Sequence, residues 1–402
     1  MNNVDNNKNK KRNVPDLTDK GTEILNVPKL RFKEFEGEWE EKRLADVCSF
    51  FSGGTPSSSN KDYYGGNIPF IRSGELHKEE TELFITQSGY DNSSAKMVEV
   101  GDLLLAMYGA TSGDIAISKI NGAINQAILC IRTVQNKKFI ESVWNKHVSK
   151  ILKKYLQGGQ GNLSADIVKN ISISFPNLKE QDKLSKLLFL LDERISSQNE
   201  LIDRLQSLIK GIIEKLYSEV QGEVYSYRQL FDIINERNKH LEYSNVLSAS
   251  QEKGMVNRED LNLDIQFEHS NINTYKIVRN GDYVIHLRSF QGGFAFSENT
   301  GVCSPAYTIL RPNDLLVHGY LSYYFTSRAF IKSLIIVTYG IRDGRSINVD
   351  EWLDMKVTIP SIEQQTHIVD IIKSIENKIK SEEMYATCLS KQKQYLLRQM
   401  FI

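Results

Sequence analysis

Apolar residues recur along two long stretches of the chain at alternate steps of four and three. From Leu184 the stepping passes through Leu188, Leu191, Ile195, Gln198, Ile202, Leu205, Ile209, Ile212 and Leu216, and nine of these ten positions are apolar. From Ile368 it passes through Ile372, Ile375, Ile379, Glu382, Ala386, Leu389, Lys393, Leu396 and Met400, with eight of ten apolar. A repeat of about 3.5 residues is the seam of a coiled coil, so each stretch predicts a long helix and the two together predict a pair. Neither stretch contains a proline, and Gly211 is the weak point of the first. Asn177-x-x-Glu180 and Ser361-x-x-Gln364 stand at their starts as capping-box patterns, in which the short side chain caps a free N–H and the longer one reaches back. Each start follows a period-two alternation closed by proline: Ile171, Ile173, Phe175, Pro176 and Met355, Val357, Ile359, Pro360. That alternation is a half-buried strand, and proline ends it because it cannot donate to the ladder.

The whole pattern is written twice, about 180 residues apart. Gly101-Asp102 precedes the strand-like run Leu103 to Met107, and Gly281-Asp282 precedes Tyr283 to Leu287. Both runs meet a glycine at a matching place, Gly113 and Gly293, and turn at Gly122 and Gly301 into the apolar strands Ala127–Ile131 and Ala306–Leu310. By Asp166 and Asp350 the offset has grown to 184. A collinear series of such matches is a duplication, which predicts globular α/β unit, long helix, globular α/β unit, long helix.

At 402 residues the chain is long enough for two or three domains with their own cores. The expected divisions are a disordered polar tail over 1–27, globular units over 28–178 and 223–360, and helices over 179–222 and 361–402. No apolar run is long enough for a membrane span and no secretory signal opens the chain, so a cytoplasmic location is expected. Cys48, Cys130, Cys303 and Cys388 show no ligand spacing and read as reduced thiols. The 50 basic and 50 acidic residues cancel, which weighs against nucleic acid unless the basic ones gather on one face or a partner supplies charge.

The layout nevertheless resembles the specificity (S, or HsdS) subunit of type I restriction-modification enzymes, over about residues 28 to 402. The resemblance is carried by the paired segments Trp39-Glu40-Glu41-Lys42-Arg43-Leu44-Ala45-Asp46-Val47 and Tyr225-Ser226-Tyr227-Arg228-Gln229-Leu230-Phe231-Asp232-Ile233. With them go the Gly-Asp strands, the strand ends ISISFP and VTIP, and the helix starts PNLKEQ and PSIEQQ, all in duplicate order. The resemblance implies an α+β fold of two target recognition domains in tandem, each followed by a long helix, the helices pairing as a coiled coil. It implies that each domain reads half of a bipartite sequence in double-stranded DNA, that the helices set the spacer, and that two methyltransferase subunits and restriction subunits dock on the chain. It implies no cofactor here; S-adenosylmethionine, ATP and Mg belong to the partner subunits.

Base reading needs paired donors and acceptors on loops, and phosphate contact needs Lys, Arg or backbone N–H. Three regions in each half offer them. The polar loop from Ser52 to Lys61 opens the first half, and Asn235 to His240, with Arg237 and Lys239, opens the second. Tyr108 and Thr111 end a strand and pair with Arg288 and Gln291. The third region is Gln157, Gln160 and Asn162, with Lys150, Lys153 and Lys154 upstream, opposite Tyr339, Arg342, Arg345 and Ser346. A solvated polar turn is the plain alternative at each. Helix pairing is expected through Leu184, Leu188, Leu191, Ile195, Ile202, Leu205, Ile209 and Ile212 against Ile368, Ile372, Ile375, Ile379, Leu389 and Leu396.

Catalysis in this chain is not expected. All eight prolines are single, so the D/N-P-P-Y/F tetrapeptide of an adenine methyltransferase is absent, as are a phosphate-binding loop and a HExxH pattern. The competing reading is a duplicated coiled-coil scaffold that binds proteins and no DNA, which suits the neutral charge but not the Gln/Asn/Arg/Gly loops.

Overall fold

The computed structural model describes residues 26–155, 162–250, 253–261, 269–286, 293–339 and 346–402. The expected tail, up to residue 25, lies outside the described residues. The chain divides into two compact units: one holds the residues up to Arg194 together with Leu389–Ile402, the other Ile195–Cys388.

In the first unit, the strands Cys48–Ser52, Ile128–Thr133, Leu103–Ala106 and Ile115–Ile117 lie side by side in one antiparallel sheet. The run Leu103 to Ala106 is apolar at every position because both of its faces are covered. Leu103 and Leu105 pack with Phe139 and Trp144 of the helix Lys137–Tyr155. Leu104 and Ala106 pack with Ile71, Val98 and Ile124 of a second sheet. That sheet orders Phe84–Ile85, Tyr64–Ile71, Gly122–Ile124 and Lys96–Val98, and Phe70 pairs in parallel with Ala123.

The second unit repeats the first sheet strand for strand: Phe231–Ile234, Thr308–Pro312, Tyr283–Ile285 and Phe294–Phe296. Tyr283 and Ile285 enter a core rich in aromatic rings, where Tyr227 stacks on Trp352 at 4.2 Å, while Val284 faces Leu247, Val278 and Ile309. The Gly-Asp repeat has a physical basis in both units. Gly101 and Gly281 have φ of +93° and +96°, a left-handed backbone that a Cβ would strain. Asp102 accepts the Glu99 N–H at 3.1 Å and holds Arg132 at 2.8 Å, and Asp282 accepts the Arg279 N–H and holds Arg311, both at 2.8 Å. Burial would raise the Asp102 pKa, but Arg132 and the Glu99 N–H outweigh it and keep the carboxyl below its ordinary value.

The two long helices span Leu178–Ser218 and Ile362–Met400. Each of the stepped positions, polar ones included, is buried or half-buried. In the first unit Leu184, Leu188 and Leu191 share a core with Leu396 and Met400, and Lys393 pairs with Asp192. In the second unit Ile209 and Leu216 share one with Ile368 and Ile372, and Gln198 donates to Glu382. Rising numbers on one helix meet falling numbers on the other, so the paired stretches run antiparallel.

The helix starts depart from the expected capping boxes in one respect. Asn177 and Ser361 accept the N–H of Glu180 and Gln364 at 3.0 and 3.4 Å, as a cap requires. Glu180, however, turns to the Arg31 guanidinium through two bonds of 2.8 and 2.7 Å. A buried carboxylate is better satisfied by a bidentate cation than by one N–H. The next residue matters more. Gln181 and Gln365 are both buried, and their amides donate to Pro176 O at 2.8 Å and Pro360 O at 3.0 Å, fastening each helix to the strand before it.

Candidate nucleic-acid interface

The two antiparallel sheets present one end in the same manner. In the first unit that end comprises the close of Cys48–Ser52, the turn after Leu103–Ala106 and the approach to Ile128–Thr133. Ser52 pairs with Leu129 and is exposed. Gly53 then passes so near Ile124 that an added Cβ would lie 1.7 Å from its carbonyl oxygen. The chain emerges at Thr55, whose hydroxyl donates to Gln126 Oε1 at 2.6 Å. Beside it the Met107 N–H donates to Ala127 O at 2.8 Å, and Tyr108 points outward from the strand end.

Gly113 packs against Val148 and Leu152 of the helix Lys137–Tyr155, where a Cβ would meet Val148 Cγ2 at 2.8 Å. The chain returns on the other side of the turn, since the Leu163 N–H donates to Met107 O at 2.9 Å. Tyr108, Thr111, Asn162 and the helix face at Val148 and Leu152 are therefore one neighbourhood, whereas Lys150 and Lys154 line a cavity on another face of that helix with Ile171, Ser174 and Ile402. Gln157 and Gln160 lie outside the described residues. Lys61 stands apart on a short turn capped by Asn60, tied back to the loop by the Tyr64 hydroxyl, which donates to Pro56 O at 2.6 Å.

Charge on the helix Lys137–Tyr155 divides by burial, not direction, since His147, Lys150 and Lys154 line one cavity with Ile402. Lys146 donates to Phe401 O at 2.6 Å and His147 meets Ile402 O at 2.9 Å; burial, then the neighbouring lysines, push both pKa values down. Lys150, Lys153 and Lys154 are exposed and, among the described residues, form no ion pair; Lys154 lies 5.2 Å over the Tyr155 ring.

In the second unit the loop opening at Asn235 is anchored by Asn238, buried, whose side chain donates to Tyr243 O at 2.7 Å and accepts its N–H at 3.2 Å. Glu236 is taken by Arg279 at 2.8 Å, which leaves Arg237 and Lys239 facing solvent. The strand Tyr283–Ile285 ends at His286, whose N–H donates to Gly293 O at 2.9 Å. Arg288 and Gln291, between those two residues, lie outside the described residues. Tyr339 and Ser346 pair as the strands of a hairpin, with Arg342 and Arg345 outside the described residues between them. Ile285, Val337 and Ile347 share one core, so both segments leave from the same body.

Gln126 was missed by the sequence reading. It is exposed at the sheet end, and its amide oxygen accepts the Thr55 hydroxyl. The signal was an Asn125-Gln126 pair directly before an apolar strand, where turn residues alone suffice.

Two α/β units on one plan, each with a polar sheet end and each joined to a long helix, make this a duplicated chain. A family model described as the type I restriction modification DNA specificity domain matches the chain twice, over residues 36–207 and 220–385, and the chain belongs to that family. It is 22% identical to the type I restriction enzyme MjaVIII specificity subunit of Methanocaldococcus jannaschii, over 91% of this chain and 94% of that one. It is 24% identical to the EcoR124I/EcoR124II specificity subunit of Escherichia coli, over 51% of this chain and 50% of the other. Among solved structures, the S subunit from M. genitalium aligns with a TM-score of 0.54 at 14% identity, covering 94% of this chain and 99% of that one. A chain from work on complex assembly and conformational transition of the type I R-M system aligns with a TM-score of 0.60 at 16% identity, covering 90% and 97%. The last two likenesses show the fold.

Proposed function

We propose that this chain reads a split sequence in double-stranded DNA, one half-site per unit, with the long helices setting the spacer. It docks two methyltransferase subunits and restriction subunits, which carry the catalytic groups and use S-adenosylmethionine, ATP and Mg. The observation that carries this reading is the duplicated sheet end: one scaffold, built twice, presents Tyr108, Thr111 and Gln126 in the first unit and Arg237 and Lys239 in the second. Different polar side chains on a shared frame are what two unlike half-sites require. The neutral net charge is met by local concentration, since Lys150, Lys153 and Lys154 gather on one helix end. The first long helix has 41 residues, roughly 60 Å at about 1.5 Å per residue, against roughly 34 Å for a turn of DNA. Among the described residues no helix is long and apolar enough to cross a membrane.

The test is single-molecule methylation mapping of the native genome with this gene intact and deleted. Loss of an adenine mark on a motif of two blocks around an unspecified spacer supports the reading. An unchanged methylome, with the methyltransferase subunit expressed and competent, refutes it.

A further inference from the structure

The two units differ where the end of one long helix meets the start of the other. In the first unit the loop from Asn26 to Trp39 closes on itself, the Trp39 N–H donating to Asn26 O at 2.8 Å. Its middle lies on the helix start. Arg31 binds Glu180, whose side chain is only 1% exposed, and Lys183 sits 4.5 Å over the Phe32 ring while pairing with Glu34. The Leu30 N–H donates to Gln399 O, near the end of the second helix, at 2.9 Å. A basic–aromatic segment, Leu30-Arg31-Phe32, thus covers the space between the two helix termini.

In the second unit the corresponding space is open. A shift of 184 residues carries Glu180 to Gln364, Lys183 to His367 and Leu184 to Ile368, and the seam stepping carries Met400 to Leu216. All four of the second-unit residues line a groove of about 420 Å³. Its floor is apolar, with Val220 and Pro360 beside Leu216 and Ile368. The floor is also preset: Gly222 runs so close to Ile359 that an added Cβ would lie 2.1 Å from its carbonyl oxygen. Where the first unit has Lys179 at the rim, the second has Glu363, and Glu219 joins it from the facing helix. Both carboxylates are exposed, and neither is ion-paired among the described residues.

We propose that this groove takes an extended segment of a partner polypeptide that carries a basic residue beside an aromatic one. The segment occupies the place that Leu30–Phe32 takes in the first unit but through other contacts: the ring lies over Leu216, Val220 and Pro360, and the cation meets Glu219 and Glu363, because Gln364 stands where the first unit has Glu180. The acidic rim repels phosphate, so this surface is separate from the DNA-reading ends and stands whether or not they read DNA.

The test titrates a fluorescein-labelled peptide copying Val27–Glu38 with the full chain, read by anisotropy. Saturable binding is expected, weakened about tenfold or more by Glu219→Lys with Glu363→Lys in the protein, and likewise by Arg31→Glu in the peptide. Both glutamates are exposed, so the double variant keeps the unfolding temperature and DNA binding of the parent. Absence of saturable binding up to about 1 mM, or equal binding to parent and double variant, overturns the proposal. Self-association of the full chain that the double variant abolishes would make a second copy the occupant and overturn the assignment to a partner.

Discussion

Replacing Lys153 and Lys154 together by alanine should weaken DNA binding without regard to sequence. Both lysines are exposed on the last turn of the helix Lys137–Tyr155 and form no ion pair among the described residues. Lys146 and His147 on the same helix are committed inward to Phe401 O and Ile402 O, so they add nothing to a phosphate-facing charge. Each phosphate contact contributes a slope of about −0.9 to log K against log salt, so losing two flattens the slope by about 1.8. At about 0.15 M salt the same relation gives a loss of about 30-fold, and the gap between parent and variant narrows as salt rises. The assay is anisotropy of labelled duplexes bound by the assembled complex across a salt series, with a cognate and an unrelated duplex. Equal losses on both duplexes are expected. An unchanged salt slope, or a loss confined to the cognate duplex, would refute the placement of these lysines on the DNA backbone.

Three further substitutions probe the frame. Arg31→Ala leaves the Glu180 carboxylate buried without its cation and should destabilise the first unit by about 3–5 kcal/mol in urea unfolding, whereas an effect under about 1 kcal/mol would mean the pair is solvated. Glu75 is buried beside Arg72 and Thr81; burial pushes its pKa up, but the hydrogen bonds from both prevail and hold it at about 2 against an ordinary 4.5. A depressed carboxyl stabilises fully above the ordinary value and loses that contribution as pH falls through the folded one. Because the Arg72 guanidinium is itself half exposed and screened by solvent, Glu75→Gln should cost about 1–2 kcal/mol at pH 7, a difference that shrinks between about pH 4.5 and 2; a constant difference across that window would contradict it. Gly53→Ala would place a Cβ 1.7 Å from Ile124 O, displacing Ser52–Thr55, and should abolish binding to one half-site while leaving unfolding of the second unit unchanged.

The seam was legible because coiled-coil spacing depends on local periodicity alone, and even Gln198, Glu382 and Lys393 sit where the stepping puts them. The Gly-Asp turns were legible as turns, but the arginine that each aspartate holds, Arg132 or Arg311, lies about 30 residues onward and is set by strand pairing. The second sheet of the first unit was not legible: the parallel pairing of Phe70 with Ala123 joins segments whose periodicity says nothing about partners. Glu180 misled because its spacing fits a cap, while Arg31 competes for it from 149 residues away. At the candidate interface the sequence supplied residue types, and the structure brought Tyr108, Thr111 and Asn162 together through Gly113 and Leu163. Ser52 joins the same sheet end through its pairing with Leu129, and Gln126 through the Thr55 hydroxyl, and no motif encodes either.

The most direct measurement is a methylome of cells in which the first unit's globular part, residues 40–175, is exchanged for that of a relative with a different motif. If each unit reads one half-site, one block of the methylated motif changes while the other block and the spacer length persist. A change in both blocks, or in neither, would contradict the assignment of one half-site to each unit.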